Sequence, residues 1–369
     1  MKNYNIGIIG LGGMGNWHRE LVNEGAFGRA GGGDGRAMGG IPRLKVKGSF
    51  DIREIRQQHA RDNGLHAYGS MKDLLADPEI DIVLVSTPND LHMPLTVKAL
   101  EAGKHVVCEK PVCLSSKELQ KMIDASVKAG KVFAVHQNRR WDEDYLTVKT
   151  IFDKNLLGEI HRIESRVHGS RGVPGDWRGQ PKHGGGMVLD WGVHILDQAL
   201  QMVPGSIVKV YATFTHITNE LVDDGFHVEL TFDNGIIYFL EVGTSNFINL
   251  PRWYVRGRDG TALIENFACD GKIVRITDYS KNDAVPIVTA AGLTKTMAPR
   301  TKDTIKEEPL PKVKSDIRDF YKNIIATIEG KEKLRVSLES VMRNMLLMEA
   351  IFKSAKAGGK PVKFEEPAK

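Results

Sequence analysis

The stretch that most constrains the fold is Asn5-Ile6-Gly7-Ile8-Ile9-Gly10-Leu11-Gly12-Gly13-Met14-Gly15, a short apolar strand running straight into G-x-G-x-x-G. A helical pattern runs on from Trp17 to Glu24, so the glycines stand between a strand and a helix. In that setting Gly10 permits a tight turn, Gly12 lets the backbone approach a pyrophosphate, and Gly15 lets helix pack on strand. The first helical turn, which holds Met14, offers unpaired N–H groups to an anion. Trp17 and His18 read as helix packing and surface.

The dinucleotide fingerprint asks for an acidic residue about 20 positions later, at the end of the second strand. Asp51, closing Lys45 to Phe50, comes 36 positions after Gly15. The excess matches Gly25 to Gly40, where eight of sixteen residues are glycine; so much backbone entropy argues for an inserted loop rather than an element. Asp51 can accept from both ribose hydroxyls and would repel a 2′-phosphate, which favours NAD, while Arg53 keeps NADP open. Further on, Ile80 to Ser86 is a near-continuous apolar run, as a strand buried on both faces should be. Ligands of doubly wound sheets lie beyond the carboxyl ends of such strands. Thr87, Pro88 and Asn89 are therefore placed to border a cofactor, with His92 at the start of the next helix. The strand at Lys104 to Cys108 ends in Glu109-Lys110-Pro111. A lysine there points into the crevice, where it can hold a substrate hydroxyl, and Glu109 can pair with it.

A second polar group stands in Asp190-Trp191-Gly192-Val193-His194-Ile195-Leu196-Asp197. In a helix, residues four and seven apart share a face, so Asp190, His194 and Asp197 would form one stripe. A carboxylate one turn before an imidazole can fix its tautomer and suit it to acid/base work near neutral pH. A metal site on this stripe is disfavoured, because three ligands from one short helix seldom close around an ion.

Length bounds the rest. A chain of 369 residues with 41% apolar content points to two domains, taken as a dinucleotide-binding Rossmann domain over 1–138 and a substrate-binding and oligomerisation domain over 139–369. The net charge of +5 is spread over 51 basic and 46 acidic residues, and no block of like charge suggests a nucleic-acid or membrane surface. Cys108, Cys113 and Cys269 have no C-x-x-C spacing, which fits reduced thiols. No apolar run approaches the roughly 18 residues of a membrane span. A soluble cytoplasmic protein is expected.

The fingerprint, Ser86 to His92, Glu109 to Pro111 and the D-x-G-x-H-x-x-D at Asp190 to Asp197 occur in one order. Together they resemble the glucose-fructose oxidoreductase/inositol dehydrogenase/rhizopine-catabolism family, Gfo/Idh/MocA, over nearly the whole chain. The resemblance implies that Lys110, Asp190 and His194 surround the reacting alcohol. It also implies that Gly10, Gly12, Gly15, Asp51, Asn89 and Glu109 contact the dinucleotide; Met14, Thr87, His92 and Lys110 complete the expected cofactor set. Asn138 to Trp141 looks like the family's strand leading into the second domain.

In that second half, strand patterns at Ile160 to His168, Ile207 to Thr215, Phe226 to Phe232, Ile236 to Gly243 and Arg252 to Gly257 call for a large, mostly antiparallel open sheet. Asp233-Asn234-Gly235 is a hairpin signal. Asp278 to Lys314 reads as a surface loop, and helical periodicity returns in Ser315 to Glu329 and Ser337 to Ala357. The polar loop from Gly169 to Gly186 is long enough to be functional; by resemblance it covers nicotinamide and substrate, with Trp177 and Arg178 as substrate contacts beside Arg171 and His183. The expected fold class is α/β, a Rossmann sheet plus an open-sheet domain. The expected activity is NAD-dependent oxidation of a secondary ring hydroxyl in a sugar or glycoside, with a cyclitol such as inositol as nearest competitor. His194 is the expected base, although lysine and histidine could exchange roles. A non-catalytic dinucleotide-binding regulator is the reading of another class. A homo-oligomer is expected, with the open sheet face as interface.

Overall fold

The computed structural model describes residues 2–25, 39–281 and 285–366; the reading of Gly25 to Gly40 as an insertion falls mostly outside them. The first part alternates strand and helix. In order come β1 (Tyr4–Ile9), α1 (Gly13–Glu24), β2 (Leu44–Phe50), α2 (Glu54–Asp62), β3 (His66–Ala67), α3 (Met71–Ala76), β4 (Ile82–Val85), α4 (His92–Glu101), β5 (His105–Cys108), α5 (Ser116–Ala129) and β6 (Phe133–Val135). All strands run parallel in the order β3-β2-β1-β4-β5-β6. The order reverses between β1 and β4, and such a switch point opens a crevice beyond the strands' carboxyl ends. Ile82, Val83, Leu84 and Val85 are fully buried, which is why β4 reads as an unbroken apolar run. Local signals set the helix ends. Ser115 Oγ accepts from the Glu118 amide while Glu118 reaches back to the Leu114 amide at 2.9 Å, and α5 stops at Gly130 with φ of 60°.

The chain continues through α6 (Glu143–Asp153), β7 (Ile160–His168), α7 (Val193–Met202), β8 (Ile207–Thr215), β9 (Gly225–Phe232), β10 (Ile237–Gly243), β11 (Trp253–Gly257), β12 (Gly260–Ile264), β13 (Gly271–Ile276), β14 (Ile287–Thr289), β15 (Gly292–Thr294), β16 (Ile305–Pro309), α8 (Arg318–Ile328) and α9 (Leu338–Lys356). Eight of these strands form a second sheet, β16-β13-β12-β11-β7-β10-β9-β8. Only β7 and β10 pair in parallel; the other neighbours are antiparallel. Along β9 the buried residues Phe226, Val228, Leu230 and Phe232 alternate with partly exposed ones, and α7 and α9 lie against the sheet at β10 and β8. The turn at Asp233-Asn234-Gly235 joins β9 to β10, with Gly235 at φ of 85°.

Three expectations change. Asn138–Trp141 is a 3₁₀ turn rather than a strand. The segment from Asp278 to Lys314 is not all loop: it holds the β14–β15 hairpin and the edge strand β16. Ile-Lys-Glu-Glu-Pro escapes an apolar-alternation reading because its pairing with β13 is framed by ion pairs, Glu307 to Lys272 at 2.8 Å and Glu308 to Arg275 at 2.6 Å. His18 is not at the surface but wholly buried, since α8 closes over it with Tyr321 Oη 2.6 Å from its Nδ1. Glu349 of α9 likewise reaches the first sheet's helices, accepting from the amide and hydroxyl of Ser116 at 2.7 and 3.0 Å. No described helix is long and apolar enough to cross a membrane.

Candidate active site

The carboxyl ends of β1, β2, β4, β5 and β6 meet along one edge. At β1 the Gly10 amide bonds to the Phe50 carbonyl at 2.9 Å, and Gly10 turns with φ of 92°. A Cβ on Gly10 would lie 2.7 Å from the Ser86 carbonyl oxygen, and one on Gly15 would lie 2.3 Å from that of Gly10. Both glycines are therefore required by the protein's own packing. Gly12 differs: among the described residues, nothing lies within 4 Å of where its Cβ would be. Its bareness answers to no protein neighbour and leaves the backbone open at the start of α1. That helix has no side-chain cap and no acid in its first turn, where Met14 stands half-buried. Asp51 is nearly buried at the end of β2; its Oδ2 accepts from the Leu11 amide at 2.9 Å and its Oδ1 from the Arg53 amide at 3.0 Å. An open glycine at a bare helix N-terminus, with a carboxylate tied to the same loop, fits a dinucleotide pyrophosphate and ribose. Ser86, which opens the Ser86–His92 motif but carried no expected role of its own, steadies this turn by donating its hydroxyl to the Gly10 carbonyl at 2.8 Å.

Beyond β4 the predicted residues act on loops. Thr87 and Pro88 line the turn, and Asn89, buried, donates to the Gly184 carbonyl at 2.8 Å. His183 Nδ1 lies 3.0 Å from Asp90 Oδ1. Two neighbouring residues thus tether the loop that precedes Asp190. His92 is also buried, with Nδ1 2.8 Å from the Pro111 carbonyl and Nε2 2.8 Å from that of Thr87. Burial draws its pKa down against the pull of both carbonyls, and a neutral ring can donate to only one of them at a time.

At the end of β5, Glu109 and Lys110 diverge instead of pairing. Glu109 turns inward, with Oε1 2.7 Å from His18 Nε2 and 2.8 Å from His136 Nδ1. Lys110 turns outward, and its Nζ donates to the Asp190 carbonyl at 2.9 Å and to Asp190 Oδ1 at 3.1 Å. Arg178 Nε lies 3.4 Å from Asp190 Oδ2. Burial alone would raise the Asp190 pKa, but the charges of Lys110 and Arg178 hold it below the ordinary carboxylate range. Arg178 also reaches Asp176 at 2.7 Å and lies over the Trp177 ring.

The expected stripe of Asp190, His194 and Asp197 is broken. Residues Val188–Gly192 form a π-helical turn before α7 begins, which disturbs the four-and-seven spacing. Asp197 is buried under the Arg140 guanidinium in a two-point pair at 2.6 and 2.7 Å, a structural anchor. His194 is buried and its Nδ1 has no hydrogen-bond partner among the described residues, so Asp190 does not fix its tautomer there. Burial first, then the nearby Lys110 and Arg139 charges, push the His194 pKa well below the usual 6.5. The ring is therefore unprotonated at neutral pH. Beside it, Asp190 and Trp191 face a cleft of about 420 Å³ that is also lined by Arg171, Pro174, Met187 and Thr244. Arg171 was expected on the substrate side, whereas Trp191 carried no expected role; Arg139 stacks on Trp191 at 4.2 Å.

A doubly wound sheet with a bare glycine turn, joined to an open-sheet domain that brings Asp190 onto Lys110, defines a nicotinamide-dinucleotide oxidoreductase. Residues 4–137 match the model of the oxidoreductase family with an NAD-binding Rossmann fold, and residues 145–263 match the GFO/IDH/MocA C-terminal domain. The chain belongs to the Gfo/Idh/MocA family of oxidoreductases. It is 43% identical to an NAD-binding protein from Listeria innocua of known structure, over 98% of this chain and all of that one, with a TM-score of 0.89. The scyllo-inositol 2-dehydrogenase (NADP(+)) of Bacillus subtilis is 28% identical over 290 residues, 78% of this chain and 80% of that one. The myo-inositol 2-dehydrogenase of Thermotoga maritima is 26% identical over 270 residues, 73% of this chain and 74% of that one.

Proposed function

We propose that this protein oxidises a secondary ring hydroxyl of a sugar or glycoside, or reduces the matching ketone, using NAD. The observation that carries the reading is the junction of Lys110 Nζ with Asp190 beside buried His194, at the end of β5 and one strand removed from the glycine turn. A bound nicotinamide dinucleotide supplies the hydride acceptor or donor. Lys110 holds and polarises the substrate oxygen, His194 takes the hydroxyl proton, and Asp190, shared between Lys110 and Arg178, orients the alcohol. Gly10, Gly12, Met14, Gly15, Asp51, Thr87 and Asn89 hold or border the dinucleotide; Trp177 and Arg178 belong to the substrate side. Residues 1–138 serve the cofactor, 139–369 the substrate and assembly into a homo-oligomer. The free thiols of Cys108, Cys113 and Cys269 suit the cytoplasm.

A second reading, a cyclitol as substrate, is favoured by inositol dehydrogenases among the relatives. It uses the same residues, since both substrates present vicinal hydroxyls on a six-membered ring. The deciding experiment is a panel of sugars, glycosides and cyclitols with NAD and NADP, followed by absorbance of the reduced cofactor. The expected result is turnover with NAD in preference to NADP. Turnover confined to inositols would replace the sugar reading, and a preference for NADP would remove the ribose role of Asp51.

A further inference from the structure

The buried side of Glu109 holds a group of side chains that hydride chemistry does not itself require. His18 in α1, Glu109 after β5, His136 after β6 and Tyr321 in α8 come from four elements and are all buried. Glu109 Oε2 accepts from the Lys110 amide at 3.1 Å, while its Oε1 faces His18 Nε2 at 2.7 Å and His136 Nδ1 at 2.8 Å. His18 Nδ1 lies 2.6 Å from Tyr321 Oη. Glu109 and its two histidines could in principle ligate an ion. However, separations of 2.7 and 2.8 Å are hydrogen-bond lengths, whereas tetrahedral zinc ligands sit about 3.3 Å apart.

Proton accounting gives the group a direction. An ionised carboxylate only accepts, so both His18 Nε2 and His136 Nδ1 carry protons. Burial first, then the neighbouring His136, pulls the His18 pKa down to about 4, so its ring is neutral and its Nδ1 is bare. The Tyr321 hydroxyl is the donor that satisfies it, and the phenol stays protonated because burial raises its pKa. Tyr321 thereby selects the His18 tautomer that donates to Glu109. The other tautomer would set a nitrogen lone pair against the carboxylate.

We propose that Tyr321 and His18 are positioning residues for Lys110, acting through Glu109, whose carboxylate holds the Lys110 amide and so aims the ammonium at Asp190. This rests on the dehydrogenase reading, in which Lys110 holds the reacting oxygen. It also makes α8 a working part of the site, though none of its residues lines the cleft beside Asp190.

The test is Tyr321→Phe, which removes one hydroxyl and no packing volume of consequence. Losing a single neutral hydrogen bond from the chain should lower kcat roughly three- to tenfold, with substrate KM and dinucleotide Kd unchanged. His18→Gln, which keeps a donor, should retain more kcat than His18→Leu. Histidine-ring and Lys110 amide nitrogen resonances, which need no substrate, should show His18 protonated at Nε2 in the wild type and both signals moving in Tyr321→Phe. A fall in melting temperature with kcat unchanged would reduce the group to core packing and overturn the proposal. Stoichiometric zinc in the purified protein would also overturn it, as would resonances that stay in place. If the resonances move but the wild type oxidises no polyol, the positioning stands and the dehydrogenase reading alone fails.

Discussion

At the level of single residues, the proposed proton acceptor and the proposed oxygen holder are distinguished by environment. His194 is buried near Lys110 and Arg139, and both charges disfavour its protonation. The acid limb of the oxidation rate should therefore lie below 6.5. His194→Ala should cost about two to four orders of magnitude in kcat and leave dinucleotide binding intact. Lys110→Ala should also slow turnover. Because it removes a positive neighbour, it should move the acid limb toward higher pH, by raising the His194 pKa. Steady-state pH profiles of the two variants check this; a limb that stays put in Lys110→Ala would show that another group titrates. Lys110 was legible because a strand end fixes the direction of the residues just beyond it, and Asp190 because it precedes a histidine in an apolar run. The stripe itself was not legible for a physical reason: spacing counts residues on an ideal helix, the π turn at Val188–Gly192 moves Asp190 off the face that His194 and Asp197 share in α7, and Arg140 takes up Asp197.

At the level of elements, the glycine turn gives two neighbouring positions opposite roles. Gly15 lies where a Cβ would strike the Gly10 carbonyl at 2.3 Å, whereas Gly12 faces open space. Gly15→Ala should therefore destabilise the first sheet and weaken cofactor binding together. Gly12→Ala should leave the melting temperature close to wild type and weaken only the dinucleotide, because its methyl would intrude on the proposed pyrophosphate position. Calorimetric melting and binding titration separate the outcomes; an unchanged Kd in Gly12→Ala would place the pyrophosphate elsewhere. The three glycines could be read from sequence because their spacing encodes a steric rule. β16 could not, since its residues are charged and its place in the sheet depends on Lys272 and Arg275 of β13. Nor could Ser86, whose hydroxyl matters only once β4 lies beside β1.

Across the whole molecule, burial has collected titratable groups whose effects on stability oppose one another. His18 and His105 are each drawn down to about 4 by burial, and His92 and His194 are lowered for the same first reason, all from 6.5. Below 6.5 the unfolded chain binds protons that the folded one refuses, so these four contribute stability above that pH that is lost as pH falls toward their folded values. Asp223 has the opposite sign. Burial raises its pKa from 3.8 to about 7, although its Oδ2 accepts from the Val188 amide at 2.7 Å, two residues before Asp190. The folded protein keeps that proton between 3.8 and about 7, so its contribution is full at low pH and disappears as pH rises through that window. His168 is lowered by burial as well, while His227 is raised by its hydrogen bond to Glu241 and Asp142 by burial. With five histidines lowered against one histidine and two aspartates raised, stability should fall on acidification below about 6.5. Asp223→Asn keeps a side-chain oxygen for Val188 and cannot ionise. Its melting temperature should gain on the wild type steadily from pH 4 to 7 and hold that gain above. Parallel melting curves across this range would show that Asp223 is ionised in the folded protein throughout, and that the turn leading to Asp190 carries a buried charge.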